Sequence, residues 1–231
     1  MTSDRASAYP AVRTFHPRRG RVTPSQSRAL EVHGERVLLP VDGRALDLAA
    51  AFGAGVPVVL EIGFGMGEAT AALAAAQPAT GVLAVDVHTP GVGRLVASVA
   101  AAGLDHVRVM HGDAVVVVRD MLVPESLAGA RIFFPDPWPK SRHRKRRLVQ
   151  PDFAALLASR LAPGGTLHCA TDWLPYAEQM LQVLSAEPLL ENAFDGLAPR
   201  PRDRPVTRFE RRGLQRGHRV VDLVFRRRLP A

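Results

Sequence analysis

Four acidic residues, each at the end of a predicted strand, carry the chemistry that this sequence offers: Glu61, Asp86, Asp113 and Asp136. Glu61 opens the stretch Glu61-Ile62-Gly63-Phe64-Gly65-Met66-Gly67, whose alternate glycines permit a tight turn and a close approach of ligand to backbone. Asp86 lies 19 residues past Gly67, where a carboxylate suits the two hydroxyls of a ribose. Alone, the glycine pattern is a weak signal, because a tight strand-to-helix turn explains it equally well. Glu61 sharpens it. A negative charge would harm a phosphate-binding loop, which favours a cationic or neutral ligand over a dinucleotide pyrophosphate. Singly, each carboxylate reads as a helix cap. Their recurrence at successive strand ends makes caps alone a poor account. S-adenosylmethionine, with its amino group, sulfonium, ribose and adenine, satisfies the whole set.

The loop around the fourth acid is the most unusual stretch. In Phe133-Phe134-Pro135-Asp136-Pro137-Trp138-Pro139-Lys140, two prolines fix the backbone on either side of a carboxylate. Trp138 either offers a face on which a base stacks or fills core. Lys140-Ser141-Arg142-His143-Arg144-Lys145-Arg146-Arg147 follows at once, placing a basic run beside the carboxylate. Such a run is commonly a solvated face. Beside a reacting base it would supply phosphate contacts.

The elements that must position these residues alternate. Strands are predicted at Val58–Ile62, Gly81–Val85, His106–Met110, Ala130–Phe134 and Thr166–Ala170. Helices are predicted over Glu68–Ala76, Val92–Ala102, Leu148–Leu161 and Tyr176–Ser185, stopped by Pro78, Gly103 and Pro163-Gly164-Gly165 where those occur. Apolar strands alternating with helices imply a mostly parallel sheet covered on both faces, with ligands outside the carboxyl ends of the strands. After residue 199 the period changes to two. Val206–Arg211 and His218–Phe225 are expected to form a closing antiparallel hairpin. Residues 1–50 read as a basic, partly irregular arm and linker punctuated by proline, and residues 51–231 as the catalytic domain.

The charge distribution points to a polyanion. The 231 residues carry 30 basic and 22 acidic groups, for a net +8. Residues 1–28, 140–147 and 199–231 hold balances of +5, +6 and +8, which leaves −11 for the rest of the chain. An acidic body with three arginine-rich patches suits a nucleic acid. No apolar run reaches the roughly 18 residues of a membrane span. The first 28 residues have no apolar stretch after their charges, and Cys169 stands alone, so neither an export signal nor a disulfide is expected. The expected setting is the cytoplasm, with no membrane contact.

With these residues in view, the sequence resembles the bacterial tRNA (guanine-N7-)-methyltransferases. The matching segments are Leu60–Gly67, His88–Gly93, Phe133–Pro139, Arg146-Arg147, Ala170–Trp173 and Pro205–Glu210, in order along the chain. The resemblance implies a class I methyltransferase fold with a seven-stranded sheet, S-adenosylmethionine as donor, no metal, and N7 methylation of a guanine in the tRNA variable loop. It implies a donor site at Glu61, Gly63, Gly65, Asp86, Asp113 and Asp136, with Asp136 also catalytic. It further implies substrate positions at Lys140, Asp172, Thr207, Arg208, Phe209 and Glu210. RNA contacts would come from Arg142, Arg144, Lys145, Arg146 and Arg147. At residue 86 many relatives have Glu, and the shorter Asp changes distances more than chemistry. No obligatory protein partner is expected, and a monomer and a homodimer both remain open.

Two other readings belong to different classes. A methyltransferase acting on an exocyclic amine is suggested by Asp136-Pro137-Trp138-Pro139, but there the aromatic residue precedes the second proline. An RNA-binding protein on a vestigial fold would have lost the donor-site acids, and all are present. Guanine N7 has an in-plane lone pair and no proton at neutral pH. Asp136 is therefore expected to orient the guanine and stabilise the developing cation, rather than to accept a proton. His88, His111 and His168 read as packing or capping residues, and Cys169 as a core thiol.

Overall fold

The computed structural model describes residues 14–15 and 20–230, with the Arg208 side chain left out. Most of the basic segment 1–28 lies outside the described residues. Helix α1 (Pro24–Val37) opens on a capping box: Gln26 N–H donates to Thr23 Oγ1, and Thr23 N–H to Gln26 Oε1. It leads into a two-residue strand, β1 (Leu38–Leu39), and a short helix, α2 (Leu48–Phe52). Regular structure thus begins at Pro24, within the segment read as a partly irregular arm and linker. The proline-based reading missed α1 because Pro24 stands at a first helical position, where no amide hydrogen is needed.

The alternating core then runs as expected. It comprises β2 (Val58–Ile62), α3 (Glu68–Ala76), β3 (Gly81–Asp86), α4 (Thr89–Ala101) and β4 (Val107–His111). A short α5 (Ala114–Val116) continues as a π-helical turn over Val117–Met121 into β5 (Leu127–Phe133). A 3₁₀ helix follows at Ser141–Arg146, and then α6 (Pro151–Arg160), β6 (Leu161–Thr171) and α7 (Leu174–Ser185). The chain closes with β7 (Leu190–Asn192), α8 (Arg208–Gln215) and β8 (Val221–Arg227).

All eight strands join one sheet in the order β1-β4-β3-β2-β5-β6-β8-β7, parallel except for the pairings of β8 with β6 and β7. The sheet has eight strands rather than seven because Leu38-Leu39 pairs with Val109-Met110 at one edge. The expected hairpin is also corrected. Residues 221–227 form the antiparallel strand, but their partners are β6 and β7, while 206–211 enter helix α8. Thr207 is the N-cap of that helix, and its Oγ1 accepts from the Glu210 N–H at 3.0 Å. A Thr-x-x-Glu spacing is a helix-start signal, and here it outweighs the period-two pattern.

Both faces of the central strands are apolar. Leu83 and Val85 of β3 belong to one buried cluster, and Val82 and Ala84 pack with Leu95, Val96 and Val99 of α4 in the other. Cys169 lies in the first cluster, where burial pushes its thiol up to about 12, as befits a core residue.

Candidate active site

The strand order places the four acids side by side. β4, β3, β2 and β5 are parallel neighbours, so Asp113, Asp86, the loop after Glu61 and Asp136 emerge at the same edge. Chain direction across the sheet reverses between β2 and β5, and a crevice opens at such a switch point. A cavity of about 400 Å³ lies there, walled by Glu61, Gly63, Gly65, Asp86, Asp113 and Asp136.

Each wall has a local cause. Gly65 has φ +60°, a left-handed conformation that disfavours side chains. The N-terminal turn of α4 presses on this loop so closely that a Cβ at Gly91 would lie 1.8 Å from the Gly65 carbonyl oxygen. Asp86 pins the loop from the side. Its Oδ2 accepts from Gly65 N–H at 2.7 Å and its Oδ1 from His88 N–H at 2.8 Å. Burial pushes the Asp86 carboxyl up, and these two bonds oppose the shift. Asp113 caps α5 by accepting from Val115 N–H at 2.9 Å while it also lines the cavity. The capping and lining readings hold together for this residue.

Glu61 is the most perturbed wall. It is 3% exposed; its Oε1 accepts from the Thr70 hydroxyl at 3.0 Å, and its Oε2 has no hydrogen-bond partner within the protein. Burial pushes its carboxyl up to about 7, against the opposing pull of Arg131 on the adjacent strand and of Thr70. An orphaned, buried carboxylate oxygen facing a cavity fits a cationic group such as the ammonium of S-adenosylmethionine. The glycine turn leaves room for the rest of such a molecule.

The Asp136 loop is strained. Phe134 and Trp138, two residues to either side of Asp136, have φ of +52° and +42°. Left-handed backbone costs a non-glycine residue about 1–2 kcal/mol, and such strain concentrates where function requires a fixed geometry. Trp138 is buried and fills core. Its Nε1–H donates to the Thr14 carbonyl at 3.3 Å, so no base stacks on it.

The remaining expected residues divide. Thr207 and Phe209 line the cavity; Arg208 begins α8; Asp172 and Lys140 lie outside the lining. Asp172 Oδ2 pairs with His218 Nδ1 at 3.2 Å, and Lys140 is exposed at the start of the 3₁₀ helix. Glu210 is 1% exposed and turns away into ion pairs with Arg204 and Arg200. Burial pushes its carboxyl up, but hydrogen bonds from Arg204 and Arg200 more than offset that and leave it below the usual range.

In the basic run, Arg142, Arg144 and Lys145 are exposed, and Arg146 is half-buried over the Trp138 ring. Arg147 corrects the expectation of an RNA contact. It is 1% exposed, lies over Tyr176, and donates to the carbonyls of Pro137 and Pro175 and to Gln179. A guanidinium so enclosed serves as a brace for the Asp136 loop and cannot reach a phosphate.

Thr14, Phe15, Phe134 and Arg212 also line the cavity, and sequence reasoning missed them as site residues. Helical spacing from Phe209 to Arg212 was a usable signal, hidden by the strand reading of that segment. His168 pairs with Asp222 at 2.7 Å and packs edge-on against Phe133, whereas His111 is exposed and bonds Thr89 at 3.2 Å. His88 stands at the N-cap position of α4 without a side-chain capping bond and lines the cavity, with its Nδ1 buried and unpartnered. Among the described residues, no metal-ligand cluster is gathered and no helix is long and apolar enough to cross a membrane.

This sheet order, with its acid-walled crevice, is that of the class I methyltransferases. The fold is similar to that of the 16S rRNA methyltransferase KamB: TM-score 0.54, 18% identity, covering 74% of this chain and 88% of that one. It is similar also to TrmN from Thermus thermophilus: TM-score 0.54, 17% identity, covering 87% of this chain and 48% of that one. At these identities the likeness is one of fold. A family profile described as "Putative methyltransferase" matches residues 56–223. The tRNA (guanine-N(7)-)-methyltransferase of Streptomyces avermitilis is 58% identical over 221 residues, covering 95% of this chain and 76% of that protein. The enzyme of the same name from Aromatoleum aromaticum is 56% identical over 218 residues, covering 94% and 84%. The chain belongs to the tRNA (guanine-N(7)-)-methyltransferase family and is a methyltransferase.

Proposed function

We propose that this enzyme transfers a methyl group from S-adenosylmethionine to N7 of a guanine in the variable loop of tRNA, by direct in-line displacement and without a general base. The observation that carries the reading is the meeting, at one switch point, of a buried carboxylate with one unpartnered oxygen and a strained Asp136 loop that runs directly into exposed basic residues. When bound, the donor supplies a methyl group on a positively charged sulfur. Glu61 would hold its ammonium and Asp86 its ribose hydroxyls, with Asp113 completing the wall. Asp136 orients the guanine edge and offsets the positive charge that develops on the ring. Guanine N7 carries no proton, so no group in this site has to accept one. Fixing the loop is the task of Pro135, Pro137 and the Arg147 brace.

Incubating the protein with labelled donor and bulk tRNA, then digesting to nucleosides, tests the reading. Label in 7-methylguanosine, carried on the variable-loop fragment in a parallel ribonuclease digest, supports it. Label in an exocyclic methylamine would favour the exocyclic-amine methyltransferase instead and give Asp136 a different role.

The exposed cations allow a separate test. Each phosphate they neutralise contributes roughly −0.7 to the slope of log affinity against log salt on single-stranded RNA. Replacing Arg142, Arg144 and Lys145 with alanine is expected to flatten the slope for tRNA by about 1–2 units. Arg147→Met should instead lower the thermal midpoint, because it removes buried hydrogen bonds, and leave the slope unchanged. Parallel slopes for the triple variant and the unmutated protein would remove these residues from the RNA path.

A further inference from the structure

Helix α8 lies over the cavity with almost no apolar anchor. Phe209 is 44% exposed and Leu214 53% exposed, and among its described side chains only that of Glu210 is buried. Gly213 approaches Asp172 so closely that a Cβ would lie 2.9 Å from Oδ2, a contact without hydrocarbon burial. The hydrophobic effect therefore does little to hold this helix.

An ion cluster holds it instead. Arg204 is 2% exposed, and its Nη1 and Nη2 donate to the two Glu210 carboxylate oxygens at 2.7 and 3.0 Å. From its other edge, Nη2 donates to Asp222 Oδ2 at 3.1 Å, and Nε stands 2.8 Å from Asp222 Oδ1. Asp222 belongs to β8 and also pairs with His168 of β6. Arg200 adds a second donor to Glu210 Oε1 at 3.0 Å. The Arg204 guanidinium also lies 5.8 Å from the ring centroids of Phe133 and Phe134, which line the cavity. One buried guanidinium thus touches the sheet, the cavity wall and α8.

We propose that Arg204 is a positioning residue that, through Glu210, latches α8 to the sheet and so sets Phe209 and Arg212 against the donor loop. The proposal rests on the cavity being the methyl-transfer site. Phe209 is the contact that transmits it, since its ring lies 3.7 Å from where a Gly65 Cβ would stand. A buried ion cluster adds little net stability over apolar packing of the same volume, and the role assigned to this one is to select a single arrangement of α8. The forked guanidinium is essential, because a lysine ammonium cannot engage two carboxylates in this geometry. Glu210 is then a latch partner, with Oε1 accepting from Arg200 and Arg204 and Oε2 from Arg204.

The test uses the full-length protein without substrate. Arg211, Arg212 and Arg216 are exposed, and trypsin cleaves after them only when α8 opens locally. In Glu210→Gln, initial cleavage at these three sites, mapped by mass spectrometry, is expected to rise about tenfold relative to cleavage elsewhere. Donor affinity by calorimetry should fall about tenfold, and adding Glu210→Gln to Phe209→Ala should cause no further loss. Unchanged cleavage in folded Glu210→Gln, or losses that add in the double variant, would overturn the proposal. A rise confined to KM for tRNA, with cleavage and donor affinity unchanged, would also overturn it and mark Glu210 as a direct RNA contact. Should Glu210→Gln not fold, Arg204→Lys carries the same readings. The cleavage arm involves no methyl transfer, so it fails or succeeds independently of which nucleoside is modified.

Discussion

Asp136→Ala is expected to lower single-turnover methyl transfer by about 10²–10³ while the thermal midpoint stays close to that of the unmutated enzyme. The carboxylate lines the cavity on a loop whose geometry is set by three prolines and by Arg147, so removing it leaves the backbone in place. On the proposed mechanism, what is lost is a fixed negative charge beside a ring that becomes cationic. Asp136→Asn keeps an acceptor oxygen and should retain more activity than alanine. The modified nucleoside decides the role, because transfer to N7 releases no proton whereas transfer to an exocyclic amine does. An unchanged single-turnover rate in folded Asp136→Ala would remove this carboxylate from the transfer site.

Glu61→Gln is expected to act in opposite directions on stability and on donor binding. In the donor-free protein, burial pushes the Glu61 carboxyl up to about 7, from an ordinary value of 4.5. Between those values the folded protein retains a proton that the unfolded chain releases, so stability falls as pH rises through that window and stays low above it. At 1.36 kcal/mol per unit, the effect is up to about 3 kcal/mol. Glu61→Gln removes that penalty. Its thermal midpoint should exceed that of the unmutated protein at pH 8 and match it near pH 4.5. Donor affinity should fall about 10–100-fold, the loss of a charged hydrogen bond to the donor's ammonium. A destabilised Glu61→Gln protein at pH 8 would mean that the carboxylate already has a strong partner, and the donor assignment would lose its basis.

Much of this was legible without coordinates. The αβ alternation follows from apolar runs between glycine and proline stops, and four of the five strands so located end within three residues of those observed, while β6 begins at Leu161, five residues before the expected Thr166. Acids at four strand ends, with Glu61 inside the glycine turn, suffice to suggest a cationic ligand. The segment after residue 199 was not legible by periodicity. A strand and a charged helix both show alternation there, and burial of the Glu210 carboxylate against Arg204 decides between them.

The sequence by itself determined the alternating core from β2 to α7, the acids at its strand ends and the resemblance to the family, because these depend on local pattern and on motifs contiguous in the chain. Only the tertiary structure decided which charges are reagents and which are braces. Arg144 and Arg147 are three residues apart and look alike in the chain, yet one is exposed and the other is 1% exposed over Tyr176. Thr207 and Glu210 belong to one motif, but the first faces the cavity and the second faces Arg204. The reason is physical. A charge becomes a ligand or a structural partner according to what is buried beside it, and that neighbour usually comes from a distant part of the chain.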